Sequence, residues 1–366
     1  MTTTAKLDAL SSSPATPTTK HAGVLGAAPT GDRLRRMREA PQWKNGVFVN
    51  ARPVRMMEAS RTPSVMRAWW ESRATREPRE ELPIFDDTAR VLAAPTDGLR
   101  VTWLGHSTNL VEIDGARFLT DPVFCERASP SQAFGPRRFH RVPMSLDALP
   151  RLDAILLSHD HYDHLDFSTM RALASSTVPI VTALGVGAHL EAWGIAQERI
   201  VELEWWEETR FGDVCVVATP SQHFSGRSMN DRNRTHWMSF SVVGPRHRAF
   251  FSGDTGYSTV FEEIGRRIGG FDVAMLEVGA YHEAWGDIHL GPENAERVFA
   301  MLDARTFLPV HWSTFALGPH AWDEPGEQLA RKAESSTLPL LTPRIGEPIM
   351  PRASTSHLRA WWRDVA

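Results

Sequence analysis

The chain has 366 residues, of which 42% are hydrophobic and 23% are charged, enough for one large globular domain or two ordinary ones. Its net charge of −4 gives no indication of a nucleic-acid partner. The only two cysteines, Cys125 and Cys215, exclude a disulfide scaffold and are expected to be buried small residues. With no apolar run of membrane-spanning length and no secretory signal in the first 40 residues, the sequence predicts a cytoplasmic protein.

The N-terminal part is basic and of low complexity. Residues 1–32 are rich in Thr, Ser, Ala, Pro and Gly, and we predict a disordered tail over residues 1–40. Residues 1–80 carry a net charge of +7, which leaves −11 on residues 81–366. This asymmetry is compatible with peripheral membrane contact through the basic cluster, although a solvated arm is the simpler interpretation. The cluster consists of Arg33, Arg35, Arg36 and Arg38.

Residues 41–98 are interpreted as an N-terminal extension that packs on the body of the protein. A helix is predicted over residues 64–76, which contain Trp69 and Trp70. Several of the 13 tryptophans occur in pairs, here and at 205–206 and 361–362. Core packing is the favoured explanation, and a belt at a membrane interface is the alternative.

A single α/β domain is predicted over residues 99–345, followed by a C-terminal tail over residues 346–366. The run LDAILL, residues 152–157, is apolar apart from Asp153, which is typical of a strand buried on both faces. A short helix follows it, with Asp166 as the predicted N-cap. Helices are also predicted at 258–268 and 292–302. Further strands are predicted at 178–183, 213–219, 236–243, 247–252, 271–277 and 306–310.

The most informative motif is SHDHYDHLD, residues 158–166, directly after the buried strand. It offers His159, His161, Asp163 and His164 within six residues. Alternate residues of an extended strand end point the same way, so the first two histidines can share a face. Four ligand-type side chains exceed the needs of one tetrahedral site with an open position. The spacing therefore predicts two adjacent metal ions that share further ligands from elsewhere in the chain.

Three more candidate ligands each follow an apolar run. His223 lies in VVATPSQHF, Asp254 lies in AFFSGDTGY, and His311 ends TFLPVH. Each stands where a predicted strand meets a loop, which is the usual place for functional groups on a rigid sheet. Imidazole and carboxylate ligands favour zinc, with iron or manganese as alternatives.

These motifs resemble those of the metallo-β-lactamase superfamily. The HxHxDH run, followed by an isolated His, an Asp and a His, carries the resemblance to the superfamily as a whole. Residues 103–139, together with ATPSQHF (218–224), FSGDTGY (251–257) and HWSTFALG (311–318), resemble the branch of N-acylphosphatidylethanolamine-hydrolysing phospholipase D and its bacterial relatives. The resemblance implies an α/β fold of the metallo-β-lactamase type, an αββα sandwich, here with an N-terminal extension.

The resemblance also implies roles for individual residues. His159, His161 and His223 would hold one metal ion, and Asp163, His164 and His311 the other, with Asp254 bridging both. Two Zn²⁺ per chain are expected, with Mn²⁺ or Fe²⁺ as alternatives.

Catalytic roles are expected for Asp163, which is also a ligand, and for His289, which would orient the substrate or protonate the leaving alkoxide. For His289 a structural role at the start of the following helix is the alternative. His106 is a weaker candidate for a residue that supports the ligands. Between Ala280 and Pro292 the chain looks shorter than, and different from, the animal enzymes.

The predicted function is a binuclear metal-dependent phosphodiesterase of the phospholipase D type. The alternative on the same fold is a lactonase or other ester hydrolase acting on a small soluble, sugar-phosphate-like substrate. A phospholipid or small-molecule substrate is expected and a nucleic-acid partner is not. A homodimer is left open by the sequence.

Overall fold

The computed structural model describes residues 23–55, 59–351 and 358–365. Two sheets form the centre of the molecule. The first has seven strands in the order β15-β3-β4-β5-β6-β7-β8, and the second has six in the order β14-β13-β12-β11-β10-β9. A separate hairpin pairs β1 (Trp43–Lys44) with β2 (Val47–Phe48).

The first sheet is antiparallel at one side and parallel at the other. Strands β3, β4 and β5 pair as a meander, whereas β5, β6, β7 and β8 run parallel. Its strands are β3 (Leu99–Trp103), β4 (Asn109–Ile113), β5 (Ala116–Thr120), β6 (Ala154–Leu157), β7 (Ile180–Ala183), β8 (Ile200–Leu203) and β15 (Pro348–Ile349).

The second sheet follows the same plan. Strands β9 to β12 are antiparallel, and β12, β13 and β14 are parallel. Its strands are β9 (Glu208–Phe211), β10 (Val214–Thr219), β11 (Ser239–Val243), β12 (Arg248–Phe251), β13 (Val273–Glu277) and β14 (Phe307–Val310).

The two sheets share one hydrophobic core, as the αββα prediction requires. Residues of both sheets belong to one contiguous buried cluster, and the rings of Phe118 and Phe211 meet edge to face across the sheets, 5.6 Å apart. The helices are α1 (Gly31–Glu39), α2 (Thr62–Glu71), α3 (Thr88–Leu92), α4 (Phe167–Ala172), α5 (Gly187–Ala192), α6 (Val260–Ile268), α7 (Gly291–Met301) and α8 (Glu324–Ser335). Asp166 caps α4 as predicted, because its carboxylate accepts from the backbone N–H groups of Ser168 and Thr169.

The N-terminal segment corrects the prediction of a disordered tail over residues 1–40. Residues 1–22 lie outside the described residues, but 31–39 form α1, which lies against the body. Arg33 pairs with Glu202 (2.6 Å) and Glu191 (2.9 Å), and Met37 is buried in the core. Polar contacts with residues far along the chain hold this helix, and a local sequence pattern carries no trace of them.

The basic cluster is largely occupied by ion pairs. In addition to Arg33, Arg36 pairs with Glu207 at 2.5 Å, and Arg35 pairs with Asp32 on its own helix at 3.1 Å. The cluster therefore does not form a free basic arm.

The C-terminal segment is also part of the fold within residues 346–351 and 358–365. Strand β15 pairs with β3, and Trp361 and Trp362 belong to the hydrophobic core. Both cysteines are free and buried, as predicted. Of the paired tryptophans, Trp70 is the clear exception to core packing, with 68% of its surface exposed. None of the described helices is long and apolar enough to cross a membrane.

Candidate metal centre

All seven predicted ligands meet at one edge of the two sheets. The HxHxDH loop follows β6, His223 follows β10, Asp254 follows β12 and His311 follows β14. Strands β10, β12 and β14 of the second sheet end at the same edge because β11 is antiparallel to both of its neighbours. The contacts of His159 and His164 with Asp254 place the end of β6, in the first sheet, at that edge too. The arrangement is the one that the strand-end positions predicted.

The seven side chains form two clusters that share one carboxylate. His159, His161 and His223 form the histidine half, in which ring nitrogens approach to 2.8 Å (His159 Nε2 to His161 Nδ1) and 3.3 Å (His223 Nε2 to His161 Nδ1). Asp163, His164 and His311 form the carboxylate half, in which Asp163 Oδ2 lies 3.4 Å from His164 Nε2 and 3.3 Å from His311 Nε2.

Asp254 stands between the two halves and faces both. Its Oδ1 lies 3.0 Å from His164 Nε2 and 3.1 Å from His311 Nε2. Its Oδ2 lies 3.6 Å from His223 Nε2 and 3.9 Å from His159 Nε2. One carboxylate oxygen is thus available to each half.

The donor atoms fit two metal ions. Tetrahedral coordination with bonds of about 2.0–2.1 Å separates neighbouring ligand atoms by about 3.3 Å. The separations within the two halves lie on both sides of that value, from 2.8 to 3.9 Å. His164 Nε2 and Asp254 Oδ1 are buried and lack a hydrogen-bond partner although they are only 3.0 Å apart. Two atoms that face a common third atom, rather than each other, have this geometry.

Residues behind the ligands fix the imidazole rings. His164 Nδ1 donates to Asp121 Oδ2 (2.7 Å), and His223 Nδ1 donates to the carbonyl oxygen of Ile288 (2.9 Å). Ser158 Oγ donates to Asp121 (2.6 Å) and therefore accepts from His159 Nδ1 (2.9 Å). In each ring the Nε2 atom is left free to face the centre, which is the usual effect of such supporting groups.

The electrostatics of the two halves differ. In the histidine half, burial and the neighbouring histidines hold the pKa of His159 well below its ordinary value, and burial likewise lowers the pKa of His223. In the carboxylate half, burial also lowers the pKa of His311, but the carboxylates of Asp254 and Asp163 raise it more, to about 10. Burial lowers the pKa of His164 too, but the carboxylates of Asp254 and Asp163 raise it well above its ordinary value.

His106 lies closer to the centre than its sequence context indicated. Its Nε2 donates to Asp163 Oδ2 at 2.9 Å, and its ring lies 4.1 Å from that of His311. Burial lowers the pKa of His106 to about 3, so the ring is neutral and can support Asp163 without adding charge.

His289 lies beside both halves, with its ring 5.1 Å from that of His223 and 5.5 Å from that of His311. Its Nδ1 faces Glu277 Oε2 at 2.9 Å. His289 also lines a cavity of about 490 Å³, whose other walls include Arg55, Tyr281, Asp287 and Glu324.

Sequence reasoning missed two carboxylates, Asp121 and Glu277. Each stands at or just after the end of an apolar strand, in FLTD and VAMLE, which is the signal that identified Asp254. Neither carries a neighbouring histidine, so single carboxylates at these positions did not stand out.

Comparisons with known proteins identify the family to which the chain belongs. The model of the beta-lactamase superfamily domain matches residues 116–312. An uncharacterised protein of Mycobacterium tuberculosis is 44% identical over 331 residues, which cover 89% of this chain and 88% of that protein. The N-acyl-phosphatidylethanolamine-hydrolyzing phospholipase D 1 of Caenorhabditis elegans is 36% identical over 249 residues, which cover 65% of this chain and 70% of that protein.

Solved structures support the fold. The isothiocyanate hydrolase from Delia radicum gut bacteria superposes with a TM-score of 0.56 at 21% identity, covering 69% of this chain and 98% of that one. A metallo hydrolase from Ignicoccus hospitalis gives a TM-score of 0.53 at 17% identity, covering 69% and 97%. The chain is therefore a metal-dependent hydrolase of the metallo-β-lactamase superfamily, related to the phospholipase D proteins that hydrolyse N-acylphosphatidylethanolamine.

Proposed function

We propose that the protein is a binuclear phosphodiesterase of the phospholipase D type, acting on N-acylphosphatidylethanolamine-like substrates with two zinc ions. The observation that carries the proposal is Asp254, whose two oxygens face two separate clusters of ligand atoms. The choice of a phosphodiester rests on the relatives named for that activity, at 36% and 34% identity.

The histidine half and the carboxylate half would each hold one ion, with Asp254 shared. Two bound divalent cations would lower the pKa of a water molecule and neutralise the negative charge of a phosphodiester. The protein holds the ligands in place beforehand, since the rings of His159, His164 and His223 are each fixed through Nδ1. Little rearrangement is then needed during the reaction.

His289 would act on the departing alcohol. Its position beside both halves and on the wall of the 490 Å³ cavity lets a substrate reach the ring and the centre together. A positioned imidazole that protonates a leaving alkoxide contributes on the order of 10²-fold or more to the rate.

A lipid substrate would be collected by α2 rather than by the arginines of α1. Met66 and Trp70 lie one turn apart on α2, with 67% and 68% of their surfaces exposed, and the guanidinium of Arg73 stacks on the Trp70 ring at 4.2 Å. The segment after α2 leads to the centre, because Arg76 lines a small cavity that His311 also lines. Exposed indole and cationic groups beside a site suit the headgroup region of a bilayer.

Membrane contact through α2 is tested with anionic vesicles at low salt. Trp70→Ser should weaken vesicle binding, whereas Met229→Ser, which changes a side chain with 99% exposure on another loop, should not. Hydrolysis of a soluble diester should be unchanged in both variants. Equal binding by the two variants would contradict docking through α2.

A second candidate is a lactonase or other ester hydrolase for a small soluble substrate. The polar walls of the cavity beside His289 favour it, since Arg55, Asp287, Glu293 and Glu324 line the space. Such a wall suits a hydroxylated molecule better than an acyl chain.

A hydrolysis screen separates these functions. Protein loaded with zinc is offered N-acylphosphatidylethanolamine, a nitrophenyl phosphodiester and a panel of sugar-phosphate lactones, with and without a chelator. We expect chelator-sensitive release of phosphatidic acid. Turnover of lactones alone would replace the phosphodiesterase proposal by the second candidate.

A further inference from the structure

Glu277 is a buried carboxylate behind His289. It ends β13, and no part of its side chain is exposed to solvent. Its Oε1 accepts from the backbone N–H groups of Thr255 (2.8 Å) and Leu290 (3.1 Å). Its Oε2 lies 2.9 Å from His289 Nδ1. The carboxylate thus joins the loop that carries Asp254 to the loop that carries His289.

The hydrogen bonds determine which nitrogen of His289 carries a proton towards Glu277. Two backbone donors occupy Oε1, and a carboxylate is an acceptor only, so Nδ1 is the donor to Oε2. The group bound to one ring nitrogen fixes the role of the other. With Nδ1 engaged, Nε2 is the nitrogen that remains for the substrate in the adjoining cavity.

We propose that Glu277 is the positioning residue for His289: it fixes the ring and its Nδ1 proton so that Nε2 faces the leaving oxygen. The inference rests on the proposed phosphodiesterase function. In that reaction the oxygen of water bonds to phosphorus and the water gives up a proton to solvent, while the bond from phosphorus to the alcohol oxygen breaks. The electron pair stays on the alcohol oxygen, which takes the Nε2 proton of the His289 imidazolium, and the neutral ring then regains a proton from solvent.

Glu277→Gln is a sharp test because it keeps the shape of the side chain. The amide oxygen can still accept from Thr255 and Leu290, so the amide NH₂ must face His289 Nδ1. Two donors would then oppose each other, and Nδ1 must give up its proton to accept. The backbone contacts survive, whereas the Nδ1 proton is lost and the ring can no longer carry a proton on both nitrogens.

The kinetic arm compares two phosphodiesters that share the same acid half, one with a nitrophenol and one with an alkyl alcohol as leaving group. Glu277→Gln should lower kcat for the alkyl ester by roughly 10- to 100-fold and change KM little, with a much smaller loss on the nitrophenyl ester. The double variant with His289→Gln should be no slower than His289→Gln alone. Equal losses on both esters, or additive losses in the double variant, would overturn the proposal.

The spectroscopic arm does not depend on turnover. A strongly hydrogen-bonded imidazole Nδ1 proton gives a low-field NMR signal, which for His289 should vanish in both Glu277→Gln and His289→Gln. Asp114→Asn is the matched control, because Asp114 Oδ1 lies 2.6 Å from His247 Nδ1 and neither residue belongs to the metal centre. It should remove only the His247 signal and leave both esters unaffected. Metal content is measured on every variant, since His311 Nδ1 lies 3.9 Å from Glu277.

The two proposals fail in different ways. Absence of diester hydrolysis by the unmodified protein contradicts the phosphodiesterase function. A His289 Nδ1 signal that persists in Glu277→Gln contradicts the positioning role, whatever the substrate.

Discussion

The histidine half and the carboxylate half of the centre lie at the same edge of the two sheets but differ in charge. His159, His161 and His223 are neutral at neutral pH, because burial lowers the pKa of each. His164 and His311 instead lie between two carboxylates, Asp163 and Asp254, which raise their pKa. One half thus presents neutral imidazoles, and the other presents imidazoles that carry protons.

The difference shows how one scaffold can prepare two unlike metal sites. A metal ion binds imidazole only in its unprotonated form, so the histidine half accepts an ion without releasing a proton. The carboxylate half must release protons, but its two carboxylates offer more negative charge to the ion. Among the seven ligand residues, Asp254 alone faces both halves, so a change at this residue affects metal binding in both.

The largest effect is expected for Asp254→Ala. This change removes the oxygen available to each half, and both should bind metal more weakly. If the charge stabilisation that is lost amounts to about 4 kcal/mol, hydrolysis falls by roughly 10³-fold. Elemental analysis and kcat are measured on the same preparation. Retention of two metal ions with normal turnover would show that Asp254 does not couple the halves.

The halves should also respond differently to pH. The pKa of His311 is raised to about 10 and that of His164 is also raised, so metal binding at the carboxylate half releases protons near neutral pH. Its apparent affinity should therefore fall about tenfold per pH unit for each proton released as pH decreases from 8 to 6. The lowered pKa values of His159 and His223 predict little change at the histidine half over the same interval.

Zinc titrations against a chromophoric chelator at pH 6, 7 and 8 measure this directly. One ion should be lost on acidification while the other is retained. Loss of both ions with one common pH dependence would remove the distinction between the halves.

The sequence predicted where the candidate ligand side chains meet, because each of them follows an apolar strand. A buried strand leaves a strong pattern, and polar residues at its carboxyl end must gather at the sheet edge. The six strands predicted after residue 170 all exist, as β7 and β10 to β14. The positions of His223, Asp254 and His311 follow from those strands.

The sequence predicted the surroundings of the centre less well. Strand β8 buries only Leu203 and strand β9 buries none of its residues, and α1 buries a single side chain, Met37. The ion pairs of Arg33 join residues separated by more than 150 positions, so no local window contains them. The roles of Asp121 and Glu277 likewise depend on histidines from other loops.

The smallest effects should come from substitutions of the residues that hydrogen-bond to the ligands. One such residue supports each half, so the halves can be weakened one at a time. Asp121 holds His164 Nδ1 directly, whereas Ser158 relays a hydrogen bond to His159 Nδ1. Asp121→Asn should weaken metal binding at the carboxylate half by about 10- to 100-fold, the usual cost of losing such a partner. Ser158→Ala should weaken the histidine half by about tenfold or less, because a neutral hydrogen bond is worth roughly half a charge-assisted one.

Competition with chelators of graded affinity measures how strongly each variant holds its two ions. The competition is run at pH 8, where proton release matters least. The retained ion should be the tightly bound one in each case, so the two variants should leave opposite halves occupied. Spectra of cobalt-substituted protein can identify which half that is, because His161 faces the centre through Nδ1 whereas His164 and His311 face it through Nε2. If both variants lose the same ion, Asp121 acts on the two halves through Ser158 as a single unit. The hydrogen bond from Ser158 Oγ to Asp121 at 2.6 Å would then be the link that joins them.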